Sequence, residues 1–320
     1  MSNLEQAPPE LVCQDEPGTG VTVLSARDVP LGGPRAIRVR RTLPQRARSL
    51  VGAWCFADHY GPSSTAMDVA PHPHTGLQTA SWLFSGEVEH RDSLGTHAMI
   101  RPGELNLMTS GHGIAHSEVS TPETAVLHGV QLWIALPDEH RHTARDFHHY
   151  APPRRELPGA SARVFLGSLA GDTSPVPAFT PLLGAELVLE PGSQLVLAID
   201  PAFEHGVLQD IGSLAVAGTP LNMGDMAYVA PGASRLELAN TGAEPARLLV
   251  LGGTPFTEEI VMWWNFVGRD HDEIVAFREA WQAEAGQFGR VEGYPGARLP
   301  APALPNIRLT PRRNPTEGHR

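Results

Sequence analysis

Apolar and polar side chains alternate along short stretches of the chain, each cut off by a glycine or a proline. A period of two places successive side chains on opposite faces, so each stretch predicts a half-buried strand. The first are residues 36–40, where apolar and basic residues alternate, and 50–57, which runs into Asp58-His59-Tyr60-Gly61-Pro62. Residues 63–70 read as a loop that leads into His72-Pro73-His74. Strands are predicted at 77–85, 96–101 and 105–108, with Gly86 turning the chain into 87–90 and Pro102-Gly103-Glu104 forming a tight turn. Thr109-Ser110-Gly111-His112-Gly113 then precedes His116-Ser117-Glu118, and residues 127–136 close this set.

Residues 138–183 are rich in proline, arginine and histidine and offer one clear strand, at 162–169, so they read as a connection between two units. A second set of strands follows at 185–190, 194–199, 206–209, 213–217, 226–230 and 247–251. It repeats the first in outline, since Gly103 and Gly111 are echoed at the same interval by Gly224 and Gly232. Further along, Asp270-His271-Asp272-Glu273 places acidic residues where a helix begins, and Ile274, Phe277, Ala280 and Trp281 recur at helical spacing. The tail is rich in proline and arginine; Ile307 and Leu309 are expected in an edge strand, and Arg312 onward is expected to fray. The organisation is therefore a flexible segment at 1–20, a first β unit at 21–137, the connection at 138–183, a second β unit with a helix at 184–290 and a tail at 291–320.

Many short strands with Gly/Pro turns make the fold class all-β, a sandwich or a barrel. With 320 residues, 41% of them hydrophobic, the chain can bury a full core. Lys and Arg total 24 against 35 Asp and Glu, and the resulting charge of -11 opposes direct binding to nucleic acid or to an anionic membrane. Cys13 and Cys55 are the only cysteines, which argues for two plain thiols in a reducing compartment rather than a disulfide scaffold. No stretch reaches membrane-spanning length and the first residues lack a signal-peptide pattern, so a cytoplasmic protein is expected, acting as a monomer.

His72 and His74, and likewise His116 and Glu118, are two residues apart, so on strands each pair points to one face. A single histidine pair on a strand is more often packed or solvated than ligating, but two such pairs behind glycine and proline turns point to a shared metal. Three imidazoles and one carboxylate suit a borderline divalent ion such as Fe, Mn, Co, Ni, Cu or Zn. No cysteine belongs to the set, and four protein ligands would leave coordination positions open for chemistry, with Glu118 as both ligand and proton acceptor. Counting the same steps past Gly232 reaches Glu237 and Ala239, and the strand at 194–199 carries no ligand, so the second unit is expected to be metal-free. His59, His90, His97, His112 and His128 rank lower, with His112 and His59 the candidates for an outer shell; His140, His142, His148 and His149 read as a solvated loop, and Trp263-Trp264 as core.

These residues carry a resemblance. Pro71-His72-Pro73-His74-Thr75-Gly76, the run from Met108 to Glu118, and His128-Gly129-Val130-Gln131-Leu132-Trp133 resemble the pirin family of the cupin superfamily, and the likeness continues through Leu251-Gly252-Gly253 and Ile260 to Phe266. The resemblance implies a bicupin: two antiparallel jelly-roll barrels with a C-terminal helix and one metal, usually iron, in the N-terminal barrel, held by His72, His74, His116 and Glu118. Gln78 departs from the family pattern, which has glutamate there, and His112 stands where many relatives have arginine. Some members of the family cleave flavonols such as quercetin with dioxygen. Others are metal-dependent regulators that bind a protein partner, either as transcription cofactors or by regulating metabolic enzymes. The leading expectation is an Fe(II)-dependent dioxygenase acting on a small phenolic chelator and O2, with Leu77, Trp82, Phe84, Met99, Met108 and Trp133 as candidates to line its cavity. The alternative is a redox-sensing module that needs no cavity.

Overall fold

The computed structural model describes residues 14–15, 20–30 and 37–314. Cys13 and most of the expected N-terminal segment lie outside them. Among the described residues the strands pair into two antiparallel modules of the same plan. In the leading module, a seven-stranded sheet with Leu77–Ser85, Leu105–Thr109, Leu127–Ala135 and Trp54–Ser63 at its centre faces a four-stranded sheet of Asp68–His74, Ile114–Ser120, Val88–Asp92 and His97–Ile100. In the trailing module, an eight-stranded sheet built around Glu204–Ile211, Met226–Val229, Ala246–Gly253 and Leu182–Leu189 faces Gln194–Ala198, Arg235–Asn240, Leu214–Val216 and Thr219–Pro220. The protein is an all-β bicupin with one C-terminal helix.

The two large sheets meet back to back. Trp54, Phe56, Trp82 and Leu107 of the leading sheet form one core with Phe165, Leu208, Met226, Leu249 and Leu251 of the trailing one. Each aromatic or aliphatic side chain buried there contributes about 1.5–3 kcal/mol, so this seam holds the modules as one body. The trailing module encloses a second core, largely of leucine, valine and alanine. The helix His271–Gln282 starts where the acidic run predicts, with the Asp270 side chain accepting from the Glu273 amide, and buries Ile274 and Trp281 in a cluster with Trp263, Trp264 and Phe288.

Several local expectations are corrected by pairing. Asp68–His74, expected to begin as a loop, is a strand throughout because its backbone is taken by Ile114–Ser120. His148 and His149 belong to no solvated loop: Asp146–Tyr150 adds a strand to the leading sheet beside Leu105–Thr109. Val21–Leu24, expected at the start of the leading unit, pairs instead with Met226–Val229 of the trailing sheet. Ile307 is 72% exposed and forms no strand. The tail is tied down further on, where Arg312 bridges Ile260 and the Asn314 side chain bonds the backbone of Ser49 and Leu50.

Candidate metal centre

Two glycines bring the histidine strands together. Gly76 and Gly111 both have positive φ, at 67° and 49°, and the Gly76 amide donates to the Gly111 carbonyl at 2.9 Å. A Cβ on Gly76 would lie 2.4 Å from the Val267 carbonyl oxygen, so only glycine lets the chain turn there against the trailing segment. The register then sets His72 opposite His116, with an irregularity between His116 and Glu118. His72, His74 and His116 are fully buried and Glu118 is 1% exposed.

The partners of each ring decide which nitrogen keeps a lone pair. His72 Nδ1 donates to the Ala70 carbonyl at 2.9 Å, and its Nε2 is buried with no partner. His74 Nδ1 donates to the Asn265 carbonyl at 3.0 Å, leaving Nε2 bare. His90 Nε2 donates to Asp92 Oδ2 at 3.1 Å, so His90 Nδ1 accepts, at 3.4 Å, from His116 Nδ1. His116 Nε2 is thereby bare as well, and it lies only 3.1 Å from His74 Nε2. Two lone pairs at that distance repel unless a cation sits between them, and the donor atoms of all three histidines lie within 4.8 Å of one another. Burial, reinforced for His116 by the neighbouring imidazoles, holds all three rings well below the ordinary histidine range, so they are neutral and ready to ligate. The set fits a divalent ion of the borderline class.

Glu118 stands at the edge of this group. Its carboxylate clusters with His116 and His90 rather than with all three histidines. The Ser81 hydroxyl reaches Glu118 Oε1 at 3.2 Å and Gln131 Oε1 at 2.9 Å, and its single proton serves one of them at a time. Asn106 and Gln131 flank Ser81 in register, making a polar row across the large sheet opposite the histidines. In that row Asn106 Nδ2 and Gln131 Nε2 are buried without partners. Trp133, whose ring centre is 5.1 Å from that of His74, also has an unpartnered Nε1.

Other sequence candidates fall elsewhere. The side chain behind His116 is His90, held in turn by Asp92, and neither of the two expected residues supports the site: His112 is exposed and touches the Thr143 carbonyl, while His59 lies at the seam between modules. Period two could have found His90, since it shares a face with Asp92 two residues on. Of the expected cavity residues, Trp133 adjoins the site, but Trp82 donates to Glu186 in the seam, Leu77 is seam core and Phe84 packs on His128. At the seam, His59, His128 and Asp210 form a second group of close donors. Arg40 donates to His59 Nδ1 and Arg247 to His128 Nδ1, at 3.3 and 3.4 Å, so both Nε2 atoms carry protons and donate to Asp210 Oδ1 at 2.6 Å. That arrangement is a hydrogen-bonded clasp with no imidazole lone pair left for a metal.

In the trailing module the expected counterparts Glu237 and Ala239 turn outward, Glu237 opposite the exposed Val196. The inward positions are Leu195, Leu197, Leu236 and Leu238. Among the described residues no group of three donors comes from the trailing module alone.

The Pirin family model matches residues 36–134, and the model of the pirin C-terminal cupin domain matches 184–289. The chain belongs to the pirin family. It is 46% identical over 288 residues to a Pseudomonas aeruginosa protein that carries quercetin 2,3-dioxygenase as a provisional name, covering 88% of this chain and 90% of that pirin relative. A crystal structure of quercetin 2,3-dioxygenase from Acinetobacter baumannii superposes with a TM-score of 0.85 at 38% identity, covering 91% of this pirin and 98% of that chain. A bacterial pirin from Escherichia coli, solved in complex with nickel(II), shares the fold, with a TM-score of 0.59 at 17% identity over 74% of this chain and all of that one. Among the described residues no helix is long and apolar enough to cross a membrane.

Proposed function

We propose that this pirin is a cytoplasmic Fe(II)-dependent dioxygenase that cleaves a flavonol such as quercetin or a related phenolic chelator. The observation that carries the reading is the pairing of three bare, neutral imidazole nitrogens with a carboxylate that faces a row of unspent donors. His72, His74 and His116 would hold the ion, with Glu118 completing the set. When bound, the ion supplies Lewis acidity and one-electron chemistry. The chain's own groups do the rest. Glu118 is placed to take the proton of a phenolic hydroxyl, with Ser81 orienting its carboxylate. Asn106 Nδ2, Gln131 Nε2 and Trp133 Nε1 offer hydrogen bonds to an oxygen-rich planar substrate, and satisfying them would recover about 1–3 kcal/mol each. The likeness to proteins named for quercetin 2,3-dioxygenase supports the same reading.

The test is oxygen uptake. Iron-loaded protein mixed anaerobically with quercetin and then exposed to air should consume one O2 per turnover and release a depside and carbon monoxide. No uptake across a broad panel of phenolic chelators would overturn the reading and leave the metal as a redox sensor for a protein partner.

A further inference from the structure

The hairpin of Val261–Trp263 and Phe266–Gly268 belongs to the sheets of neither module. It follows the last trailing strand in sequence, yet its bonds land on His74 and Thr75 of the leading module. The Asn265 carbonyl accepts from His74 Nδ1 at 3.0 Å, the Val267 amide donates to the Thr75 carbonyl at 3.1 Å, and the Thr75 hydroxyl donates to the Val267 carbonyl at 3.4 Å. The hairpin therefore holds the ring of one ligand histidine together with the backbone just beyond it.

Two costs are concentrated at its tip. Trp264 opens the two-residue turn with φ of 54°, where glycine is the favoured residue, and its indole Nε1 is buried without a partner. A bulky residue stays in the left-handed region only where its surroundings impose it, and the residue that follows is Asn265, whose carbonyl the turn aims at His74. The imposing contacts lie behind the hairpin. Trp264 sits in the cluster of Phe266, Ile274 and Trp281. Arg269, one residue past the hairpin, donates from its amide to Glu273 Oε2 of the helix at 2.6 Å, and from Nη2 to the Leu136 carbonyl at 2.8 Å and Glu258 Oε2 at 2.5 Å. The Leu136 amide in turn donates to the Gly76 carbonyl at 3.0 Å, two residues from His74. We infer that this hairpin positions the metal ligand His74 and that Arg269 is the positioning residue that anchors it, so docking of the C-terminal segment sets metal affinity in the leading module. The inference rests on the metal centre proposed above and not on the dioxygenase chemistry.

Coupling of this kind is reciprocal: the factor that docking adds to metal affinity is the factor that metal adds to docking. Zinc, which is redox-inert, is the probe on the full chain. In the native protein, saturating zinc should slow hydrogen exchange of the Val267 amide about tenfold or more, while the trailing edge strand Gln194–Ala198 keeps its rate. By chelator competition, zinc affinity should fall about tenfold in Arg269→Gln and stay native in Asp210→Asn, which disturbs the seam instead. Iron-loaded Arg269→Gln should also show a raised reduction potential, because a loosened Nδ1 bond leaves the ligating nitrogen less basic. The exchange measurement uses the native chain, so it decides the matter whatever the variant's folding. A Val267 rate indifferent to zinc, native affinity and potential in Arg269→Gln, or an equal loss of affinity in Asp210→Asn would overturn the inference. A native chain that binds no zinc would overturn the metal centre along with it.

Discussion

His116 uses both ring nitrogens: Nε2 faces the other histidines while Nδ1 donates into the His90–Asp92 pair. Asp92 is itself fixed by the Leu94 and Thr96 amides at 2.9 Å, so the chain of hydrogen bonds from backbone to the His116 ring is anchored at its far end. His90→Leu should therefore weaken metal binding about 10- to 100-fold, as loss of an outer-shell partner does elsewhere, and a chelator competition titration reads this directly. His72→Ala or Glu118→Ala should strip the metal altogether while leaving the fold, since the seam and the trailing core are untouched; elemental analysis alongside a thermal melt separates the two effects. The pairs His72/His74 and His116/Glu118 were legible because alternate residues on a strand share a face. What spacing alone could not convey was the position of Glu118, which depends on the local irregularity in pairing and on Ser81 and His90 arriving from other strands.

At the level of elements, strand identity was readable wherever apolar alternation was strong, as in Leu77–Ser85 and Leu127–Ala135. It failed where the strand is buried on both faces or paired at an edge: Asp68–His74 carries two prolines, its Val69-Ala70 step interrupts the alternation, and only its partners make it a strand. The internal repeat was visible in the glycine markers, but counting from Gly232 slipped by one residue. One step on a strand turns every side chain to the other face, which is why Glu237 points to solvent and Leu236 and Leu238 fill the core. The turn at Gly76 yields a prediction at this scale. Gly76→Ala combines a left-handed backbone with a contact against Val267, so it should cost at least about 1–3 kcal/mol in denaturant melts and lower metal content with it.

Across the whole molecule, three buried carboxylates of the trailing module are received by donors of the leading one: Glu186 by Trp82, Glu204 by Gly52 and Asp210 by the two seam histidines. No local pattern announces such pairs, because the partners are far apart in sequence. Asp210→Asn, which removes the negative charge and turns one of the two acceptor oxygens facing Arg247 and the histidines into an NH2 donor, should destabilise by about 3–5 kcal/mol in denaturant melts. The clasp also fixes a pH dependence. Burial lowers the pKa of His59; separately, outside the clasp, it takes His205, whose ring has no hydrogen-bond partner, down to about 4, so the unfolded chain binds protons that the folded one refuses. Their contribution is complete above the ordinary histidine value of 6.5 and is lost as pH falls below it, so the melting temperature of metal-stripped protein should drop between pH 7 and pH 4. The central claim is that one cation belongs to the leading module and none to the seam or the trailing one. Anomalous diffraction at the iron edge from crystals of iron-loaded protein tests it most directly. A single peak within ligand distance of the Nε2 atoms of His72, His74 and His116 is predicted; a peak between His59, His128 and Asp210, or inside the trailing barrel, would contradict it.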